Sequence, residues 1–289
     1  MMTGDPGEFV YRLPGISRNS RPGAHRSSSR GAGMNFVSHA KLIDQPDPRR
    51  LDLRASISNI QKNWLVRVNK QRAAINVSAI VDVSASMHFG AKQSKLQVAA
   101  EFLQALGFSA GGLGDSVSLL AFDSVRRSDL SMPARLGRGL GNTMAEVILS
   151  STPTNTDRAN TEALAQCIES SAGKSALIFI VSDYHWPLQQ LDRMLEPLAG
   201  SLVVPLVIWD RSEVKPPEHK RLLSATQIGG KDSRHLWLSP EVRQQWEKNV
   251  SIRQNEISDV FASRDVKPFW ISNGFDPESL SRYFMETRV

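Results

Sequence analysis

Ile75-Asn76-Val77-Ser78-Ala79-Ile80-Val81 runs directly into Asp82-Val83-Ser84-Ala85-Ser86, and Met87 and Gly90 follow. The first seven residues are rich in β-branched side chains and bounded by polar segments, which predicts a buried strand. A carboxylate and two hydroxyls at i, i+2 and i+4 then fall where the strand ends. A tight loop there turns all three oxygens toward one point. In open α/β sheets, ligands bind in the crevice outside the carboxyl ends of the strands. Hard oxygen donors with a single charge among them suit Mg²⁺ or Mn²⁺, or the equally hard Ca²⁺. They leave room for water and an outside ligand.

Asp-x-Ser-x-Ser alone is weak, since it arises by chance in roughly one chain in ten of this length. Its bland reading is a helix N-cap, with Ser84 or Ser86 capping a helix that begins near Ser94 or earlier. A second element favours the metal site. Ser175-Ala176-Leu177-Ile178-Phe179-Ile180-Val181 is another apolar strand, and it ends in Ser182-Asp183. Two central strands then each deliver an aspartate to the same sheet edge.

The rest of the chain fits an α/β architecture. From Ala74 onward, strand and helix patterns alternate, the signature of a mainly parallel sheet covered on both faces. Strands are expected over Ile75–Val81, Ser116–Phe122, Ala176–Val181, Ser201–Trp209 and Val266–Ile271, with Ser124–Met132 as a short edge strand. Helices are expected over Lys95–Leu106, Met144–Leu149, Asp157–Ser170 with Thr156 as its N-cap, Leu188–Leu198, Pro240–Ala262 and Pro277–Met285. Residues 211–239 read as an insertion. Residues 34–73 read as an extension adding strands beside the sheet, because Leu51–Leu53 and Trp64–Val68 have strand-like composition.

With 289 residues and 40% hydrophobic content, the chain can bury a full core. No apolar run is long enough for a transmembrane helix, and no secretory signal is visible, which places the protein in the cytoplasm. The single cysteine, Cys167, excludes an internal disulfide and fits a reducing compartment. Its apolar neighbours Ala163, Leu164 and Ile168 make it buried filler rather than a nucleophile. The net charge of +6 is uneven: residues 1–73 hold 13 Lys/Arg against 5 Asp/Glu, leaving 22 against 24 beyond. Residues 1–33 read as a basic mobile arm, with Ser, Arg, Gly and Pro dominating 17–33. Such an arm can bind nucleic acid or an anionic surface, but it lacks interleaved aromatics and any nucleic-acid motif. A solvated or partner-docking arm is the expectation.

The chain resembles a known family. Asp82-x-Ser84-x-Ser86, a later threonine loop and the strand-ending Asp183 resemble the metal-ion-dependent adhesion site of von Willebrand factor A domains. Gly23-Ala24-His25-Arg26, Gly31-Ala32-Gly33-Met34-Asn35-Phe36 and Arg49-Arg50-Leu51-Asp52-Leu53-Arg54-Ala55-Ser56 are similar to the upstream signature of domain-of-unknown-function family fifty-eight. Ser182-Asp183-Tyr184 and the tail Leu280-Ser281-Arg282-Tyr283-Phe284 fit the same family. Leu53 replaces the family's usual Trp, and Lys41-Leu42 and Gln45-Pro46-Asp47-Pro48 depart from its pattern. The chain therefore resembles a divergent member, such as the small protein encoded with methanol dehydrogenase maturation genes.

The resemblance implies a von Willebrand A-like, doubly wound sheet. It also implies a metal site of Asp82, Ser84, Ser86, Asp183 and a threonine, with the serines on the ion directly and one or both aspartates acting through water. The family's Thr-Asp pair favours Thr156, with Thr154 and Thr161 as alternatives. It further implies a MoxR-type AAA+ ATPase as partner, and a client protein that offers an acidic side chain to the metal. On that reading the protein is a non-catalytic adaptor.

An enzyme reading rests on the histidines. His25, His39, His88, His185, His219 and His235 are scattered, with none at a hydrolase spacing from a carboxylate or cysteine. His88 and His185 follow the two aspartate loops, so a metal-dependent hydrolase is the alternative. Gly137-Arg138-Gly139-Leu140-Gly141-Asn142 lacks the Lys-Ser/Thr ending of a phosphate loop and reads as a turn. Trp186 and Trp209 read as core or rim aromatics.

Overall fold

The computed structural model describes residues 7–11, 13, 22–31, 35–152, 160–215, 222–226 and 233–287. They divide into two compact units: Arg12–Ile75 forms one, and Asn76–Arg288 together with the first eleven residues forms the other.

The smaller unit is built on three antiparallel strands, β1 (Pro22–Gly31), β2 (Asn35–Lys41) and β3 (Leu65–Ala73), with β3 in the middle. Leu51–Leu53 is not a strand. Leu51 makes an isolated bridge to Val66, and the chain then turns into a short helix, α1 (Leu53–Ile57). The reason is local, because the Asp52 side chain accepts the Ala55 N–H and caps that helix. The reading of 1–33 as a mobile arm is also corrected, since residues 22–31 are a paired strand.

The larger unit carries β4 (Asn76–Asp82), α2 (Lys95–Leu113), β5 (Ser116–Phe122), β6 (Arg126–Arg135), α3 (Leu140–Leu149), α4 (Thr161–Ser171) and β7 (Leu177–Ser182). Then follow α5 (Leu191–Met194), β8 (Leu202–Ile208), α6 (Arg211–Val214), β9 (Leu222–Thr226), β10 (Ser233–Trp237), α7 (Pro240–Ala262), β11 (Phe269–Ile271) and α8 (Pro277–Glu286). Six strands make one sheet in the order β11-β8-β7-β4-β5-β6. Its pairs are parallel except β5 with β6. β9 and β10 form a separate antiparallel pair inside the expected insertion.

Alternation along β7 explains why both faces are covered. Ile178 and Ile180 pack with Leu164, Cys167 and Ile168 of α4, Leu191 of α5, and Ile257 and Phe261 of α7. Phe179 points the other way, into Phe102 of α2 and Phe284 of α8. Phe9 joins that second layer, 6.3 Å from Phe179, and its N–H donates to Ser109 Oγ. Phe9 and Tyr11 are therefore core rather than arm, both being buried, while Gly7, Glu8 and Val10 between and before them are exposed. No described helix is long and apolar enough to cross a membrane.

α4 begins four residues later than the pattern predicts. Asn160, not Thr156, is its N-cap, accepting the Glu162 N–H, and its own N–H donates to the Asp123 carbonyl at the end of β5. Thr154 and Thr156 lie outside the described residues.

Candidate metal centre

β4 and β7 are adjacent and parallel, so Asp82 and the Ser182-Asp183 pair emerge side by side at the carboxyl edge of the sheet. Both aspartates are buried. Asp82 Oδ1 accepts the Ser84 N–H at 2.9 Å, which bends the loop back over the strand end. The Ser84 and Ser86 hydroxyls stand 3.3 Å apart. The capping alternative fails: Ser84 makes no side-chain cap bond to the 3₁₀ turn Ala85–His88. Ser94 caps α2 instead, in a reciprocal box with Gln97. The two loop hydroxyls are thus left facing each other beside the carboxylates. Gly90 is needed to close this loop, since a Cβ there would overlap the Gln93 carbonyl.

The aspartates have opposite electrostatic settings. Burial, then the charge of Asp183, pushes the Asp82 carboxyl up to about 7. Burial also raises Asp183, but the Lys95 ammonium, with His185, outweighs it and holds this carboxyl below the usual carboxylate range. Lys95 Nζ sits 2.7 Å from Asp183 Oδ2 and 2.8 Å from Glu213 Oε1. Lys95 and Asp183 each keep 1% of their side-chain exposure, so this is a desolvated ion pair.

The neighbouring loop is pinned from several sides. The Ser182 hydroxyl donates to Asp82 Oδ2 and accepts from the Tyr184 N–H and the Trp186 indole N–H. The Trp209 indole donates to the Asp183 carbonyl. Arg253 of α7 donates to the carbonyls of Tyr184 and Trp186. These bonds hold Tyr184 at φ 53°, a left-handed conformation unusual for a bulky residue.

Lys95, Glu213 and Arg253 were not singled out from the sequence, and Ser182 was placed at the strand end without its bond to Asp82. For Lys95 a signal existed. It is the first helical residue after the Ser94 cap, where the helix dipole disfavours a cation. A lysine there needs compensating carboxylates. Glu213 and Arg253 depend on contacts across long stretches of chain and carry no local signature.

The donor set fits a hard divalent cation. Two buried carboxylates and two hydroxyls converge, and Asp82, with no cation beside it among the described residues and its carboxyl pushed up by burial and by Asp183, would be eased in its charged form by a bound cation. Among the described residues no group of three or more His, Cys, Asp and Glu could hold a metal ion. An ion here would rely on one or two carboxylates, the serine hydroxyls and water, a set that suits Mg²⁺. Thr161 is the first residue of α4 and is half-buried.

The histidines at the rim are differently placed. His88 Nε2 lies 3.4 Å from Ser151 Oγ, and burial lowers its imidazole. His185 stacks on Trp209 at 5.4 Å, with Nε2 3.6 Å from Glu213 Oε1. His185, Trp209 and Glu213 also line an open groove of about 480 Å³, together with Trp246, Val250 and Arg253. Trp209 is core, as expected, and so is Trp186.

No curated protein matches the chain. Solved structures similar to it include conserved hypothetical protein BatB from Bacteroides thetaiotaomicron, at 14% identity over 74% of this chain and 98% of that one, with a TM-score of 0.46. An aerotolerance-related membrane protein from Bacteroides fragilis matches at 15% identity over 74% and 98%, TM-score 0.41. A von Willebrand factor type A protein from Catenulispora acidiphila matches at 12% identity over 76% and 43%, TM-score 0.38. The sequence profile of DUF58, a family of proteins of unknown function, matches residues 47–255, more than half of the chain. The chain belongs to the DUF58 family, and its larger unit is an α/β fold on a mainly parallel six-stranded sheet.

Proposed function

We propose that this protein is a cytoplasmic, metal-dependent protein-binding adaptor. It works with a MoxR-type AAA+ ATPase in the assembly, metal insertion or activation of a client complex, with methanol dehydrogenase maturation as the specific case. The observation that carries this reading is the convergence of Asp82, Ser84, Ser86 and Asp183 at the ends of adjacent strands. On this reading the Ser84 and Ser86 hydroxyls and Asp82 hold Mg²⁺, and Asp183 supports it from the next strand. When bound, the ion offers a position for a carboxylate from the client. The chain's own residues do the rest. Ser182 orients Asp82, while Trp209 and Arg253 hold the loop after Asp183 in place.

The test is affinity purification from the native host in Mg²⁺, in EDTA, and with Asp82→Ala. Recovery of an AAA+ ATPase or a client only with both metal and Asp82 supports the adaptor. Identical partners under all three conditions overturn its metal dependence.

A further inference from the structure

Lys95 stands out because its buried ammonium lies against the second carboxylate of the cradle. It bridges Asp183 on one strand end and Glu213 on α6, and it is almost wholly removed from solvent. Glu213 is itself fixed. Its Oε2 accepts the Asp210 N–H in a capping box, and its carbonyl accepts the Trp246 indole N–H from α7. The ammonium therefore cannot swing away without breaking two short charge-assisted bonds.

We propose, on the metal reading above, that Lys95 is a built-in counter-ion that sets the charge of the cradle. It ties up Asp183, weakens the hold on a divalent cation, and leaves the bound ion with charge to spare for an incoming anionic ligand. The physical reason is proximity in a dry setting. A fixed positive charge that touches one of two facing carboxylates repels a second cation placed between them. At such separations one unit charge shifts an equilibrium by roughly one to two orders of magnitude. The same repulsion favours a carboxylate from outside, so the device exchanges ion affinity for ligand affinity. Lys95 is a positioning and charge-setting residue, since its own contacts are with Asp183 and Glu213.

The experiment is Mn²⁺ titration followed by electron paramagnetic resonance, on the full chain, for wild type, Lys95→Met, Lys95→Arg and Glu213→Gln. Lys95→Met is expected to bind Mn²⁺ at least about tenfold more tightly, and Lys95→Arg to stay near wild type. Glu213→Gln leaves the whole Lys95 charge on Asp183 and is expected to bind Mn²⁺ more weakly. It serves as the folded variant if Lys95→Met does not fold. A merely structural lysine would not move Mn²⁺ affinity in opposite directions in these two variants. Unchanged affinity in Glu213→Gln, or unchanged or weaker affinity in folded Lys95→Met, overturns the inference. Mn²⁺ bound by Lys95→Met but not by wild type supports it, while overturning metal dependence of the wild-type site. No Mn²⁺ bound by any form overturns both.

Discussion

Ser182 Oγ stands 2.7 Å from Asp82 Oδ2 and joins the ends of β7 and β4 between residues one hundred apart in sequence. A serine hydroxyl has one proton to give and two lone pairs, and here all three are used, by Asp82, Tyr184 and Trp186. Ser182→Ala leaves two buried N–H groups and a carboxylate oxygen short of a partner. It is expected to cost about 2–4 kcal/mol, read as a shift of the urea midpoint without a change in slope.

The setting of Asp82 predicts a pH effect of definite sign. Its carboxyl, raised to about 7 when folded, holds a proton that the unfolded chain has lost above about pH 4. That stabilising contribution is complete below about pH 4 and is lost as the pH rises toward 7. Asp183, held low, acts oppositely: its contribution is present at neutral pH and lost on acidification. In EDTA, wild type should therefore lose stability between pH 5 and 8, and Asp82→Asn should remove that part of the slope. Mg²⁺ should stabilise wild type more at pH 8 than at pH 5, because an aspartate ligand must first give up its proton. Urea midpoints at the two pH values measure both effects. A slope that survives Asp82→Asn assigns it to another group.

The meeting of Asp82, Ser84 and Ser86 with Asp183 at one sheet edge was legible because its signal is local. An apolar run fixes a strand, and the residues just beyond it must lie at the sheet edge. The same logic placed α7 at Pro240–Ala262 to the residue. What could not be read was set by contact across the chain. Lys95 meets Glu213 over 118 residues, and Phe9 meets Ser109 over one hundred. Composition misled at both ends of the N-terminal region. Arg and Ser dominate around residues 17–33, which hid the pairing of β1 and the anchoring of Phe9 and Tyr11. At Leu51–Leu53 a single capping aspartate, Asp52, outweighed strand propensity.

Cys167 gives a probe of local opening. It lies on the inward face of α4, and burial pushes its thiol up to about 11, so little thiolate exists at neutral pH. Native protein at pH 8 should resist a thiol reagent that labels the urea-unfolded chain within minutes. Fast labelling of the native chain would mean that α4 opens on that timescale.

Phe9 should matter out of proportion to its place near the start of the chain. It stacks 6.2 Å from Phe102, meets Phe275 edge-on at 6.2 Å, and closes the layer over Phe179. Removing a buried aromatic ring typically costs about 3–5 kcal/mol, since it forfeits both transfer energy and packing around the void. Phe9→Ala should fall in that range by urea denaturation. Phe36→Ala is the control, because Phe36 is half exposed and its change should stay within about 1 kcal/mol. Deleting residues 1–11 should destabilise at least as much as Phe9→Ala, since it also removes Tyr11 and its bond to Asp115. Equal stability of the deletion and wild type would return the first residues to the role of a free arm.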